Sequence, residues 1–321
     1  MSIRYTPEPL KYLSAQDVKE QLTMEICIRL MRELFVRTSE GNVTHRLRMA
    51  MPTEAGKLLG VMPGYLPYKD SVGAKIITVY HDNYKRGLPS HQGIVAVFDG
   101  DTGAVRGIVD GMAVTAIRTA AVSAVATDAM AKEDASVLAL LGAGVQASTH
   151  LEALSLVRKL EKARVWSIDR AEAEAFVLRE GPKYPFPIEV CATVEGAVNA
   201  SDIVCTVTSS KTPILEGRWV RPGTHINAVG ACQPKDRELD SDCVAAARLV
   251  GDSATSVVNE SGDYLFPLQE GRFGEEHLLG ELGDVLTGRI AGRLTDEDIT
   301  LFEALGLAAE DIACAAWLLE K

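Results

Sequence analysis

"SVLALLGAGVQASTHLEALSLVRKL", residues 136–160, decides the fold. Its first six residues are a short apolar run that reads as a buried strand. The run breaks at glycine, and from Gln146 onward the apolar positions take helical spacing. A strand, a glycine turn and a helix in direct succession are the opening unit of a parallel α/β sheet. The turn itself, Gly142-Ala143-Gly144-Val145-Gln146-Ala147, is a GxGxxA sequence. Gly142 permits the tight turn, Gly144 lets the backbone approach a pyrophosphate, and Ala147 keeps helix and strand close. The helix N-terminus offers unpaired N–H groups to the phosphates. A glycine motif alone is weak evidence, because ordinary turns carry it. Here "ARVWSID" follows as a second strand and ends in Asp169, at the distance where a carboxylate accepts the ribose hydroxyls. Asp169 favours NAD(H), while the adjacent Arg170 could hold the 2′-phosphate of NADP(H), so both cofactors stay open.

Towards the C-terminus the alternation continues. "AEAEAFVLRE" is a helix, and "DIVCTVT", "THINAVG" and "ARLVGD" are strands, which together imply a doubly wound sheet. "TVTSSKTPIL" follows one strand as a loop, so Thr206 and Thr208 are either cofactor contacts or turn hydroxyls. The end, "TLFEALGLAAEDIACAAWLLEK", reads as an amphipathic helical region. Towards the N-terminus, residues 14–40 read as one helix with Val18, Leu22, Ile26, Leu30 and Leu34 on a single face. "LLGVMPGYL" and "VGAKIITVY" are strands, and "HQGIVAVFDGDTGAVRGIVDG" is a hairpin closed by Asp99-Gly100-Asp101-Thr102-Gly103. Residues 112–131 form an alanine-rich helix with a single arginine.

Bulk properties narrow the function. A chain of 321 residues with 47% hydrophobic and 24% charged residues is an ordinary globular protein of two domains or one large one. The net charge of −11 argues against nucleic-acid and membrane-surface roles. "MSIRYTPEPL" lacks the apolar core of a secretory signal, and no segment reaches the length of a membrane span. Six scattered cysteines with no CxxC pair, and histidines with no HExxH, give no metal site and fit a reducing cytoplasm.

Three cations stand in apolar runs: Arg48 in "RLRMAMP", Lys75 in "VGAKIITV" and Arg118 in "VTAIRTAAVSAVA". A charge in such a run is paired or solvated, because burying it alone costs several kcal/mol. Any one of them reads first as a structural ion pair or a snorkelling side chain. Together they could clamp a small carboxylate, with forked contacts from the arginines and a point charge from the lysine. His91 could shuttle protons but reads better as a structural hydrogen bonder. His150, near the start of the helix after the glycine loop, reads as partly exposed. Glu260, Ser261 and Asp263 could line a cleft, though helix capping is the simpler reading.

These pieces occur together, in this order, in one family. "LLGVMPGY", "AKIITVY", "LPSHQGIVAVFDGDTG", "VDGMAVTAIRTAAVSAVAT", "LGAGVQAS", "INAVGACQPKDRELD", "GELGDVLTGR" and "LGLAAEDIACA" make the chain resemble the ornithine cyclodeaminase/mu-crystallin family along almost its whole length. The resemblance implies a Rossmann-type NAD(P)-binding domain, residues 126–304, inserted in a discontinuous α+β domain, residues 1–125 plus 305–321, that binds substrate and builds a homodimer. It implies that Arg48, Lys75 and Arg118 hold the substrate carboxylate and that Thr119 neighbours the cofactor. Gly144, Val145, Gln146 and Asp169 match the dinucleotide loop and ribose acceptor.

The family divides by chemistry. Cyclodeaminases look to an aspartate in the turn after the "INAVG"-like strand, and aligned on "REL" that aspartate falls on Cys232. "GACQP" and "LPSHQ" resemble instead the mu-crystallin-like branch of ketimine reductases. The expected activity is NAD(P)H-dependent reduction of cyclic ketimine carboxylates, with Lys75, Arg118 and Cys232 as the candidate catalytic residues and a place in proline metabolism. Ornithine cyclodeamination, an alanine dehydrogenase-type reaction and NADPH-dependent binding of a small molecule without turnover are the alternatives.

Overall fold

The computed structural model describes residues 9–54 and 56–321; residues 1–8, at the N-terminus examined for a secretory signal, lie outside them. Contacts divide the chain into two units. One comprises residues 9–23, Gly41–Thr115 and Ala308–Lys321; the other comprises Met24–Glu40 and Ala116–Leu307.

In the first unit, seven strands of the described residues form one sheet: β1 (Tyr12–Leu13), β2 (Thr44–His45), β3 (Met49–Glu54), β4 (Lys57–Leu66), β5 (Ser71–Tyr80), β6 (His91–Asp99) and β7 (Val105–Asp110). The order is β1-β7-β6-β5-β4-β2, with β3 also pairing with β4. β4 to β7 are an antiparallel meander, so the period-two alternation of their sequences sorts side chains onto two faces. Met62, Lys75 and Val95 stand in register on one face and are buried. The C-terminal helix, Ala308–Leu319, covers that face, and its Ile312 lies against Gly64 and Gly73. The opposite face carries Met49, Met51, Tyr65 and Val72, all exposed.

The second unit is the doubly wound domain. β8 (Val137–Leu141), β9 (Lys162–Trp166), β10 (Ile188–Val190), β11 (Ile203–Thr206), β12 (His225–Ala228), β13 (Ala247–Gly251), β14 (Leu278–Glu281) and β15 (Ile299–Glu303) form an all-parallel sheet in the order β10-β9-β8-β11-β12-β15-β13-β14. The strands are nearly continuous apolar runs because helices cover both faces.

In chain order the helices are α1 (Ala15–Gln21), α2 (Met24–Ser39), α3 (Gly111–Met130), α4 (Val145–Val157), α5 (Arg170–Glu180), α6 (Val194–Val198), α7 (Ser241–Ala246), α8 (Ala254–Glu260), α9 (Gly262–Gln269), α10 (Leu282–Leu286) and α11 (Ala308–Leu319). Residues 14–40, expected as one helix, are two. α1 is a short helix whose Ser14 and Asp17 form a reciprocal cap, and Leu22 closes it. α2 is grouped with the second unit rather than the first. It buries Cys27, Leu30, Met31, Leu34 and Phe35, and its Phe35 carbonyl lies against Gly283 of α10. Boundaries also fall at 115/116 and 307/308, not at the expected 125/126 and 304/305. The start of the expected C-terminal helical region is β15, a strand inserted between β12 and β13.

Candidate active site

Leu141, Thr206, Ala228 and Glu303 stand in one row across β8, β11, β12 and β15 and mark the carboxyl edge of the parallel sheet. Strand order reverses between β8 and β11, so the loops leaving these two strands part and open a crevice. That is where open α/β sheets bind ligands. The GxGxxA turn leaves β8 at this point. Gly142 has a φ of 124°, strained for any side chain, and a Cβ there would meet the Val207 carbonyl oxygen at 2.8 Å. Gly144 is the N-cap of α4, which has no side-chain cap, and a Cβ there would meet nothing within 4 Å. Open space beside uncapped amides at the positive end of a helix fits a pyrophosphate. Gln146 adds a buried Oε1 with no hydrogen-bond partner among the described residues, and Val145 is exposed. The residues present therefore fit a dinucleotide.

Asp169 lies three residues beyond the end of β9, not at its last position. It is exposed and caps α5, accepting from the Ala171 amide at 2.9 Å. Arg170 is exposed as well and pairs with Glu174 at 2.8 Å. Thr206 ends β11 and is fully buried. Thr208 gives both its amide, at 2.8 Å, and its hydroxyl, at 2.5 Å, to Oε1 of Glu238.

β12 leads into the turn that holds Cys232. Its thiol donates to the Val229 carbonyl at 3.4 Å, and the side chain is half-buried. Carboxylates lie behind the turn. Glu238 Oε2 accepts from the Gly230 amide at 2.8 Å, and Asp263 Oδ1 accepts from the amides of Glu238 and Leu239 at 2.9 and 2.8 Å. Burial pushes Asp263 up to about 8 and the neighbouring Glu238 charge adds to the shift. Glu303 is held well above the carboxylate range, first by burial and then by Asp263. Ser261, the N-cap of α9, accepts from the Tyr264 amide, as capping requires, and donates to Glu303.

Arg118 and Thr119 lie on α3, and both are buried. Arg118 packs on Gly306, in the connection that leaves β15 at the same edge of the sheet: a Cβ on Gly306 would meet its Nη1 at 2.7 Å. His150 is fully buried rather than partly exposed. Its Nδ1 donates to the Gln146 carbonyl at 2.8 Å, and its Nε2 accepts from the Ser123 hydroxyl at 2.9 Å. Burial lowers it to about 4, so it is a neutral bridge between α4 and α3.

Lys75 and Arg48 belong to the first unit. Lys75 is buried and forms an ion pair with Asp311 of α11, Nζ to Oδ2 2.9 Å. Thr115 completes the group, 3.4 Å from Lys75 Nζ and 3.3 Å from Asp311 Oδ1. Arg48 directly precedes β3, whose Met49 pairs with Val61; the next residue of β4, Met62, pairs with Lys75. Arg48 thus sits just before a strand two removed from that of Lys75 in the same sheet.

A model of the ornithine cyclodeaminase/mu-crystallin family matches residues 10–321. The chain belongs to that family. It is 36% identical over 309 residues to the ketimine reductase mu-crystallin of Mus musculus, with 95% of each chain covered. The Thermococcus litoralis Δ1-pyrroline-2-carboxylate reductase, solved with NADH and L-proline, superimposes with a TM-score of 0.93 at 36% identity, with 96% of both chains covered. An archaeal alanine dehydrogenase dimer with bound NAD gives 0.92 at 28% identity, over 97% of this chain and 95% of that one. The family's Rossmann-type architecture is therefore the architecture of this chain.

Sequence reasoning missed Asp311, Glu238 and Gly306. Asp311 carried a usable signal, since an acid in the alanine-rich run "LAAEDIACAA" is as conspicuous as Lys75 in its strand. Glu238 and Gly306 carried none, because what they touch lies far along the chain or in another element.

Proposed function

We propose that this protein is an NAD(P)H-dependent oxidoreductase that reduces cyclic ketimine carboxylates, taking Δ1-pyrroline-2-carboxylate or Δ1-piperideine-2-carboxylate to L-proline or L-pipecolate. One observation carries the reading. A chain alike over 96% of its length to a reductase solved with NADH and L-proline has a turn at the carboxyl edge of its Rossmann sheet whose tip, Gly230 to Pro234, bears no acid.

In this reading the crevice beside Gly142, Gly144, Val145 and Gln146 holds the pyrophosphate, Asp169 the ribose, and Arg170 the 2′-phosphate if NADPH is used. Thr119, Thr206 and Thr208 border the cofactor. When bound, NAD(P)H supplies a hydride for the C=N carbon. Arg48, Lys75 and Arg118 hold the substrate carboxylate so that one face of the ring meets that hydride. A substrate that arrives as the iminium needs no acid on the turn; a neutral imine takes its proton from Lys75 or a bound water. Cys232 shapes the pocket.

The exposed apolar face of the first sheet, with Met49, Met51, Tyr65 and Val72, supports a homodimer, as does the dimeric alanine dehydrogenase. Six free thiols support a cytoplasmic location, and the end products support a place in proline metabolism.

The test is oxidation of NADH and NADPH with five- and six-membered cyclic imino acids, with Arg118→Ala as control. Turnover with either ring is expected. Proline and ammonia formed from ornithine without added reduced cofactor would overturn the reading. So would oxidation with pyruvate and ammonia alone, or NADPH binding without oxidation across the imine panel.

A further inference from the structure

We infer that Glu238 is a positioning residue for the reductase: one buried carboxylate ties the loop after β11 to the turn after β12 and so fixes the wall of the site that carries Cys232. The assignment rests on reading this edge as the imine site.

Glu238 lies at the far end of the turn, fully buried, and its two oxygens serve different loops. Oε1 accepts the amide and the hydroxyl of Thr208, and Oε2 accepts the amide of Gly230. A carboxylate is the one side chain of this length that offers acceptors at both ends and no donor. Thr208 and Gly230 leave adjacent parallel strands, so without the bridge their amides would point into the protein unpaired, a costly arrangement.

Packing is built around the same group. A Cβ on Gly230 would lie 2.2 Å from the Thr208 carbonyl oxygen and 2.5 Å from Glu238 Oε2, which accounts for a glycine at the start of "GACQP". The tether is itself held, because Asp263 Oδ1 accepts the backbone amides of Glu238 and Leu239. On the far side, the carbonyls of Gln233 and Asp236 approach Gly262 so closely that a Cβ there would meet them at 3.2 and 2.0 Å. The turn is therefore gripped at its start by Glu238 and along its length by the first residue of α9. Burial pushes Glu238 upward while the Thr208 hydroxyl pulls it down, as a carboxylate held by donors requires.

Glu238→Gln tests the tether with little change of shape. Whichever way the amide is turned, its NH2 group faces a backbone N–H, either that of Gly230 or that of Thr208. Two readouts are taken in a Cys191→Ser background, so that Cys232 is the one cysteine that is not buried. The rate at which Cys232 reacts with 5,5′-dithiobis(2-nitrobenzoate) should rise about tenfold, the loss of one charged hydrogen bond, and kcat for imine reduction should fall about tenfold. Imine KM and cofactor Kd should stay within about threefold, since no residue proposed to hold the carboxylate or the pyrophosphate is substituted.

If Cys27, Cys205, Cys243 and Cys314 also become reactive, the variant has unfolded, and Thr208→Val decides instead. It removes the hydroxyl bond to Glu238, along with the Ser210 amide's bond to the same hydroxyl, while leaving the Thr208 amide in place. It should raise the thiol rate and lower kcat roughly threefold, with recovery in Thr208→Ser. An unchanged Cys232 rate in Glu238→Gln, or in Thr208→Val where Glu238→Gln unfolds, overturns the inference. Wild-type protein that reduces no cyclic imine would instead sink the reductase reading and leave the thiol result standing.

Discussion

The buried pair Lys75–Asp311 offers the sharpest test of why this site has its charges. Both side chains are at most 5% exposed and the charges are 2.9 Å apart, which at an effective dielectric near 20 is an attraction of about 6 kcal/mol. Desolvating the two ions costs several kcal/mol each, so the pair stabilises the fold little on balance. Removing one partner is another matter, because it leaves the other charge buried in the first unit without the counter-ion 2.9 Å away. Lys75→Met and Asp311→Leu should each cost about 3–5 kcal/mol, whereas the double variant, apolar on both sides, should lose about 1 kcal/mol or less. Urea unfolding of the four proteins measures this cycle, with the m-value checked for constancy across it. The double variant should then be folded, yet show an imine KM raised roughly 100-fold, the size expected for losing one charged contact to a carboxylate. Losses that add within about 0.5 kcal/mol would show that the pair is not coupled. A double variant with wild-type KM would refute the role of Lys75 in holding substrate.

Other outcomes follow from the same geometry. Arg118→Ala should raise imine KM about 100-fold while cofactor affinity, read by fluorescence titration, stays unchanged, since the role proposed for its fork is at the carboxylate and not at the cofactor. Gly306→Ala puts a methyl 2.7 Å from Arg118 Nη1 on backbone at φ 81°, so KM should rise about tenfold and thermal unfolding should show a loss of about 1–2 kcal/mol. Asp263→Asn tests linkage: the acid is raised to about 8 in the fold, so wild-type protein loses stability as pH climbs from about 4 to 8, and the amide does not. The stability difference in favour of the variant should grow with pH by up to about 1.4 kcal/mol per unit and level off above 8, and a flat difference in urea midpoints would refute it.

What could be read in the sequence was what depends on near neighbours. The GxGxxA turn, the hairpin at residues 91–110 and the strand carrying Lys75 are local patterns, and each has its element where the spacing put it. β15 was hidden because a central parallel strand is apolar on both faces, and "ITLFE" without alternation merges into the helical pattern that follows it. His150 was misjudged for a similar reason. Polar and apolar residues are intermixed around α4, so its sequence marks no solvent side on which to place a histidine. The three cations were visible as charges out of place, but the partner of Lys75 lies 236 positions away on α11.

The same limit explains the acid-free turn. Read along the chain, "GACQPKDRELD" places three acids just after Cys232, near enough to seem available to the chemistry at its tip. Folded, two of the three are occupied by the backbone: Glu238 bridges Thr208 and Gly230, and Asp240 caps α7 through the Cys243 amide. Asp263 and Glu303 lie fully buried nearby, with pKa values raised first by burial and further by the Glu238 charge at Asp263 and the Asp263 charge at Glu303. A deaminating enzyme must pass protons from a substrate amine to a carboxylate it can reach and keep ionised, and carboxylates tied to buried amides serve that role poorly. Cys232→Asp would place one where the thiol now stands, half-buried and next to a tethered backbone. If the chemistry turns on that position, the variant should release ammonia from ornithine at a rate the parent does not show, and lose part of its imine reduction. A variant that reduces imines as before and releases no ammonia would show that the division between the two chemistries lies elsewhere in the site.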